Sequence, residues 1–264
     1  MTRAKTVKKN LLKLVIGLAG VILCLGITVF GANGASVNVT VDSGTADGSS
    51  SALDLLFLLA FIALVPSLLL VMTSFTRIII SLSFLRSAIG TQSSPPNQVL
   101  IGLALLLTIF VMYPTFSKIN DVAYKPYKEG KLNQTEAIQE AGKPLKEFML
   151  KQVYDDDLDM FVSLAKEKGI ADIEPVKESE ELTNLPMQVV MPAFITSEVK
   201  RAFMIGFLLY IPFLVIDIIV SSTLMSMGMV MLPPATISLP FKLMLFVLVD
   251  GWNLLIQSLI TGFR

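Results

Sequence analysis

The sequence predicts an all-α protein of the membrane type, built from hydrophobic hairpins of proline-kinked helices with a polar helical insertion between them. Three observations carry this reading. Of the 264 residues, 53% are hydrophobic and 16% charged, an apolar excess beyond what a soluble core of this length requires. Apolar runs long enough to cross a bilayer recur along the chain. The charges fall in blocks between those runs.

The same composition excludes several kinds of chemistry. Histidine is absent and Cys24 is the single cysteine, which removes His-based acid–base catalysis, ordinary zinc sites and an internal disulfide. There is no G-x-S-x-G nucleophile motif and no set of metal ligands, so no catalytic, cofactor-binding or metal residue is assigned and no enzyme is expected. The acidic run Asp155–Asp157 opens a helix, where carboxylates complement the dipole as surface groups, and is not read as a metal site. Lys and Arg balance Asp and Glu at 21 each, which gives no argument for nucleic acid; none is expected as a partner.

Residues 1–35 follow the order of a cleaved signal peptide: Arg3, Lys5, Lys8 and Lys9, then "LLKLVIGLAGVILCLGITVF", then the small residues of "GANGAS". An uncleaved first transmembrane helix is the alternative, and either way residue 36 emerges outside the cytoplasm. Residues 36–51 are a Gly/Ser-rich flexible lead-in. Residues 52–117 form the first hydrophobic hairpin: a span over 52–75 kinked at Pro66, a connector "TRIIISLSFLRSAIGTQSSPPNQ", and a span over 99–116.

That connector holds Arg77 and Arg86 and no acid, whereas residues 118–181 hold ten Lys and fifteen Asp or Glu. The positive-inside rule places the first in the cytoplasm and the second outside. Residues 118–185 therefore read as a polar extracytoplasmic insertion. Asn133 and Glu136 are spaced as a capping box, and a second helix runs from Asp155 to Lys166, Lys168 and Gly169. Residues 186–264 form the second hairpin. Its first span is broken by Pro212, its last runs over 239–260, and a Met-rich loop over 225–231 joins them.

Several residues are expensive where they stand. Asp217 lies in the middle of "LVIDIIV", where a carboxylate costs about 2.5–3.5 kcal/mol on insertion scales. Glu198, Lys200, Arg201, Lys242 and Asp250 border or enter apolar runs and need partners or water. Lys242 and Asp250 are about 12 Å apart along one helix axis, too far to pair, so each looks to another helix or chain. Glu198 and Asp217 are the acids within reach of Lys242. A Glu198–Lys242 pair would tie the last two arms together or join subunits, and snorkelling to the interface is the other solution. Every apolar segment after the first carries or abuts a proline, among them Pro66, Pro114, Pro192, Pro212, Pro233, Pro234 and Pro240. Such helices pack on protein more than on lipid, which points to an assembly.

The stretch "STLMSMGMVMLPPATISLPFK", residues 222–242, sets Met225, Met227, Met229 and Met231 at every second position. Residues two apart on a helix point about 200° apart, so the four line up only on an extended segment or a loop. Pro233 and Pro234 are expected to stop the helix before them.

The blocks "MTSFTRIIISLSFLRSAIGTQSSPPNQVLIGLAL" and "LPMQVVMPAFITSEVKRAFMIGFLLYIPFLVIDIIVSSTLMSMGMVMLPPATISLPFKLMLFVLVDGWNLL" closely resemble the FliP family of flagellar biosynthetic proteins. The resemblance implies a structural subunit of the flagellar type III protein export gate. Several copies, taken as a pentamer, would form with FliQ and FliR a helical channel for unfolded flagellar substrates, beside other flagellar export apparatus proteins. It implies a multi-pass protein of the bacterial inner membrane and the flagellar basal body, with the gate partly extracytoplasmic and no cofactor. The family's methionine constriction falls on Met229, Val230 and Met231, beside Met225 and Met227. Relatives commonly run three methionines together here, and this chain has Val230 in the middle. Glu198 and Lys242 fall where a contact between subunits is expected. The alternative reading is a secondary transporter or ion channel using intramembrane Asp217, Asp250 and Lys242, although no internal repeat supports it.

Overall fold

The connector expected between the first two spans is itself a helix. In the computed structural model, which describes residues 70–91, 94–170, 184–229 and 231–263 together with 59, 63 and 67, helix α1 runs over Phe75–Ile89. The signal peptide, the lead-in, nearly all of the first span up to residue 69, and Val230 lie outside the described residues. Arg77, Ile78, Ser81, Leu82, Leu85, Ala88 and Ile89 are buried, spacings that place them on one helical face. Gly90, at φ 90°, ends the helix by donating to the Arg86 and Ser87 carbonyls.

Helix α2 (Asn97–Ile119) continues through a π-helical turn, Asn120–Tyr124, into the short α3 (Lys125–Lys128). The polar insertion follows as α4 (Gln134–Gln152) and α5 (Asp155–Glu167). The capping box at the start of α4 is present in both directions: Glu136 N–H donates to Asn133 Oδ1 and Asn133 N–H to Glu136 Oε2, each at 2.9 Å. Helix α6 spans Met187–Ser226, and α7 (Pro234–Leu248) and α8 (Gly251–Thr261) complete the chain; no strand occurs among the described residues.

Two expectations about breaks are reversed. Pro212 was expected to break the first span of the second hairpin, but it is carried, like Pro192, inside the single 40-residue α6. Each removes one intrahelical hydrogen bond without ending the helix, as apolar helices with packed neighbours allow. The last apolar segment, expected as one span, is instead bent by 63° between α7 and α8. No proline stands at that break. Asp250 occupies the left-handed region at φ 51°, ψ 51°, which an Asp tolerates better than most residues. A Cβ on the following Gly251 would run into the Phe246 ring, so the tight bend requires glycine there.

The core forms in two adjoining clusters. Ile78, Leu82, Leu85, Leu100, Phe213, Phe246 and Leu259 join α1, α2, α6, α7 and α8. Met112, Phe148, Met149, Leu158, Val190 and Phe194 join α2 and the insertion to the first half of α6. At Gly206 the α1 side chain of Phe84 occupies the space a Cβ would need, so α1 and α6 meet closely there.

Among the described residues, two continuous helical stretches, Asn97–Lys128 and Met187–Ser226, are long and apolar enough to cross a membrane, and the bent α7–α8 pair makes a third if taken as one span. A bilayer core of about 30 Å takes roughly 20 helical residues, so α6 at about 60 Å is twice the length a crossing needs. Only 11% of its most apolar window is buried within the chain. Phe203, Phe207, Ile211, Leu214 and Ile218 are exposed along it, an apolar face that membrane or protein must cover.

Candidate functional site

Helix α6 organises almost all the charge that the sequence marked as costly. Glu198 lies on its inner face at 0% exposure, opposite Arg77 of α1 at 1%. Arg77 Nε donates to Glu198 Oε2 at 2.8 Å and Nη2 donates to Oε1, a two-pronged charged pair. Nη2 also reaches Gln152 Oε1 at 3.3 Å, and Nη1 donates to the Gly262 carbonyl at 3.0 Å. The Phe263 ring covers the guanidinium, its centroid 3.8 Å from Cζ. Four segments, α1, α4, α6 and the residues after α8, thus meet at one guanidinium. The sequence reading missed this and treated Arg77 as a topology charge. The available signal was its place on the same helical face as Ser81, Leu85 and Ala88.

In the same turn of α6, Lys200 Nζ donates to Asp157 Oδ1 at 2.6 Å and Ser197 Oγ to Asp157 Oδ2 at 2.7 Å. Ser197 Oγ in turn accepts the Tyr154 N–H at 3.1 Å. Arg201 donates to Gln152 Oε1 at 3.1 Å and lies over the Tyr154 ring. Asp155 and Asp156 remain exposed at the helix start, as expected of dipole-complementing acids, whereas Asp157 is buried and fastens the insertion to α6. Burial alone would raise the Asp157 pKa. The hydrogen bonds from Lys200 and Ser197, with the charge of Lys200, outweigh it and hold the carboxyl below the usual carboxylate range.

Near the other end of α6, Lys242 Nζ donates to Asp217 Oδ2 at 2.7 Å and to the Ala88 carbonyl at 3.3 Å, while Ser238 Oγ donates to Asp217 Oδ1 at 2.6 Å. The Glu198–Lys242 pair expected between the last two arms is therefore not made within the chain. Glu198 stands 19 residues before Asp217, about 28 Å along the same axis, and α7 docks beside the Asp217 end. Asp250 was expected to look to another helix or chain. It stands exposed at the α7–α8 bend, where Asn253 Nδ2 donates to its Oδ2 at 3.2 Å.

Of the two alternatives for the Met-rich stretch, an extended segment or a loop, the structure has a turn from Met227 onward, while Met225 is still helical. Helix α6 continues through Met225 and ends in a two-bond cap: Met229 N–H donates to the Leu224 carbonyl at 2.9 Å and Gly228 N–H to the Met225 carbonyl at 3.0 Å, with Gly228 at φ 75°. The helix therefore ends at Ser226 ahead of the left-handed Gly228, and the prolines serve differently from what was expected, with Pro234 opening α7 at its first position. Met231 is 96% exposed, Met225 67%, Met227 62% and Met229 41%. Val230 falls outside the described residues.

Charges paired between helices and long apolar helices with an exposed outer face define an all-helical protein of the membrane type. Comparison with known proteins identifies it further. Residues 58–259 match the model of the FliP family. The chain is 50% identical over 221 residues to the flagellar biosynthetic protein FliP of Bacillus subtilis (strain 168), covering 84% of this chain and 96% of that protein. It is 53% identical over 208 residues to FliP of Pectobacterium carotovorum subsp. carotovorum, covering 79% and 77%. With FliP of Caulobacter vibrioides (strain ATCC 19089 / CIP 103742 / CB 15) it shares 50% over 227 residues, covering 86% and 82%. The chain belongs to the FliP family.

Breaking the enclosed pair from one side leaves a buried charge alone. Arg77→Met and Glu198→Leu are each expected to cost about 3–5 kcal/mol, with the double substitution costing clearly less than their sum. Chemical unfolding in detergent measures this, and additive losses would show that the two side chains do not depend on each other. The sign for Asp157 is that of a depressed carboxyl: its contribution is complete above the ordinary Asp value of about 3.9 and fades as pH falls through the lower folded value. Hydrogen exchange across α5 is expected to be faster in Asp157→Asn than in the parent at neutral pH, with the difference closing in acid; a difference that persists unchanged in acid would contradict it.

Proposed function

We propose that the chain is a structural subunit of the flagellar type III protein export gate, acting without catalysis of its own. Copies of it, in a ring we take as a pentamer, associate with FliQ and FliR and with other flagellar export apparatus proteins. Unfolded flagellar proteins then pass along the axis of that assembly. It resides in the bacterial inner membrane at the flagellar basal body, with part of the gate outside the cytoplasm. The observation that carries this reading is the open turn at the end of α6, whose methionines are exposed although they are apolar. Contributed by several chains around an axis, Met225, Met227, Met229, Val230 and Met231 would close a pore by excluding water. Unbranched thioether side chains would also repack around differing substrates.

Glu198 and Lys242 are proposed as contact charges between neighbouring copies. Each has a partner in its own chain, so contact across the boundary proceeds by partner exchange with Arg77 and Asp217.

Replacing Met229 and Met231 together by Gly is expected to make cells or liposomes containing the assembled gate leak ions; a leak equal to that of the parent would remove the seal. Native-gel migration tests the contact charges. Glu198→Gln, which keeps an oxygen acceptor for Arg77, and Lys242→Gln are each expected to weaken assembly, the double variant by less than the two together, whereas additive losses would leave both charges with roles inside one chain only.

A further inference from the structure

Helices α7 and α8 turn through 63° at a step where no proline stands. Among the described residues Asp250 is the one non-glycine with a left-handed backbone, at φ 51°. That region crowds Cβ against the carbonyl oxygen, so the bent form carries backbone strain that an Ala would feel more than a Gly. Apart from the Asp-Gly pair, residues 234–261 read as one helix, and taken together they are apolar enough to cross a membrane.

Contact with both ends of α1 holds the bend. Lys242 of α7 donates to the Ala88 carbonyl, and the Gly262 carbonyl after α8 accepts from Arg77. On a straight helix residues 242 and 262 lie about 30 Å apart, whereas residues 77 and 88 are about 17 Å apart along α1. Bending by 63° shortens the first distance to about 25 Å, which the long side chains of Lys242 and Arg77 bridge. Phe246, Leu255 and Leu259 then join the core beside α1, and the Trp252 ring meets the Phe246 ring edge-on at 5.4 Å.

Released from Arg77, the pair has a second arrangement open to it. One straight helix over residues 234–261 is about 42 Å long, enough to cross a bilayer core of about 30 Å. That form relieves the Asp250 backbone but sets its carboxylate near the middle of the span, where a charge is expensive. Each form thus carries one penalty at the same residue. We propose that α7 and α8 are a strap hinged at Asp250, straight and membrane-spanning until the Gly262 carbonyl and the Phe263 ring latch onto Arg77, and bent once they do. The strap couples completion of the buried arginine site to withdrawal of the last segment from a straight span. It goes beyond the gate reading and does not rest on it.

The test uses the full chain in lipid nanodiscs, in a Cys24→Ser background, with spin labels on one of two Cys pairs and distances read by double electron–electron resonance. Thr236→Cys with Ser258→Cys, both exposed, spans the hinge: about 33 Å when straight and about 28 Å when bent. Lys151→Cys with Ser258→Cys reports departure of α8 from the insertion, since straightening carries residue 258 about 13 Å. The parent is expected to give the short distances. Arg77→Met unlatches the strap. Combined with Asp250→Ala it is expected to give the long distances in both pairs, and combined with Asp250→Gly, which suits the left-handed corner, to give at least about fivefold less of them. If Arg77→Met does not fold, Phe263→Ala, which strips the cover from the guanidinium, takes its place. Short distances retained in every variant overturn the hinge, as does equal behaviour of Ala and Gly at position 250. A 236–258 distance that broadens without lengthening while α8 leaves the insertion overturns it too, because α8 then unwinds and does not straighten.

Discussion

A guanidinium sealed among apolar helices must be satisfied almost completely, and the fold is arranged around that demand. Arg77 meets it with a carboxylate from α6, an amide oxygen from α4 and a main-chain carbonyl after α8, under the ring of Phe263. An ion pair of this kind is not a large net source of stability, since desolvating both charges offsets most of their attraction. It does select one arrangement: sliding α1 along α6 by a turn would bury a lone cation against carbon. The flanking contacts depend on that registry. Phe84 lies over Gly206, Asp157 reaches Ser197 and Lys200, and Lys242 reaches Asp217.

Much of this architecture was legible in the residues. Apolar run lengths announced α2, α6 and the last segment, and local rules located the insertion helices through Asn133, Glu136 and the acids of α5. What could not be read was the outcome of competition between distant groups. Lys242 had two acids to choose from, and the choice depends on where α7 docks along an axis of about 60 Å. Proline was overweighted as a breaker in α6 because neighbouring helices compensate for it. The break at Asp250 carried a turn signal, its Asp-Gly pair, which the length of the apolar run outweighed. The alternate spacing of the methionines suggested a strand-like or looped segment, but a glycine cap changes the backbone midway, so spacing alone did not locate them.

Inside the molecule the buried charged groups find polar partners, while the outer surface of α6 carries aromatic and branched side chains with little covering from its own chain. The length of α6 extends that surface beyond one hydrocarbon thickness. A helix of this length presents more apolar area than lipid along a perpendicular crossing can cover.

The distances along the chain between the partners of Arg77 bear on how the protein is made. Glu198 follows Arg77 by 121 residues and Gly262 by 185. During synthesis α1 therefore exists for a long interval with its cation unmatched, and it cannot settle into an apolar setting until α6 has been translated. The acceptor after α8 arrives later still. Registry of the first described helix is thus decided late, by residues near position 262. Completion of the arginine site therefore waits on nearly the whole chain.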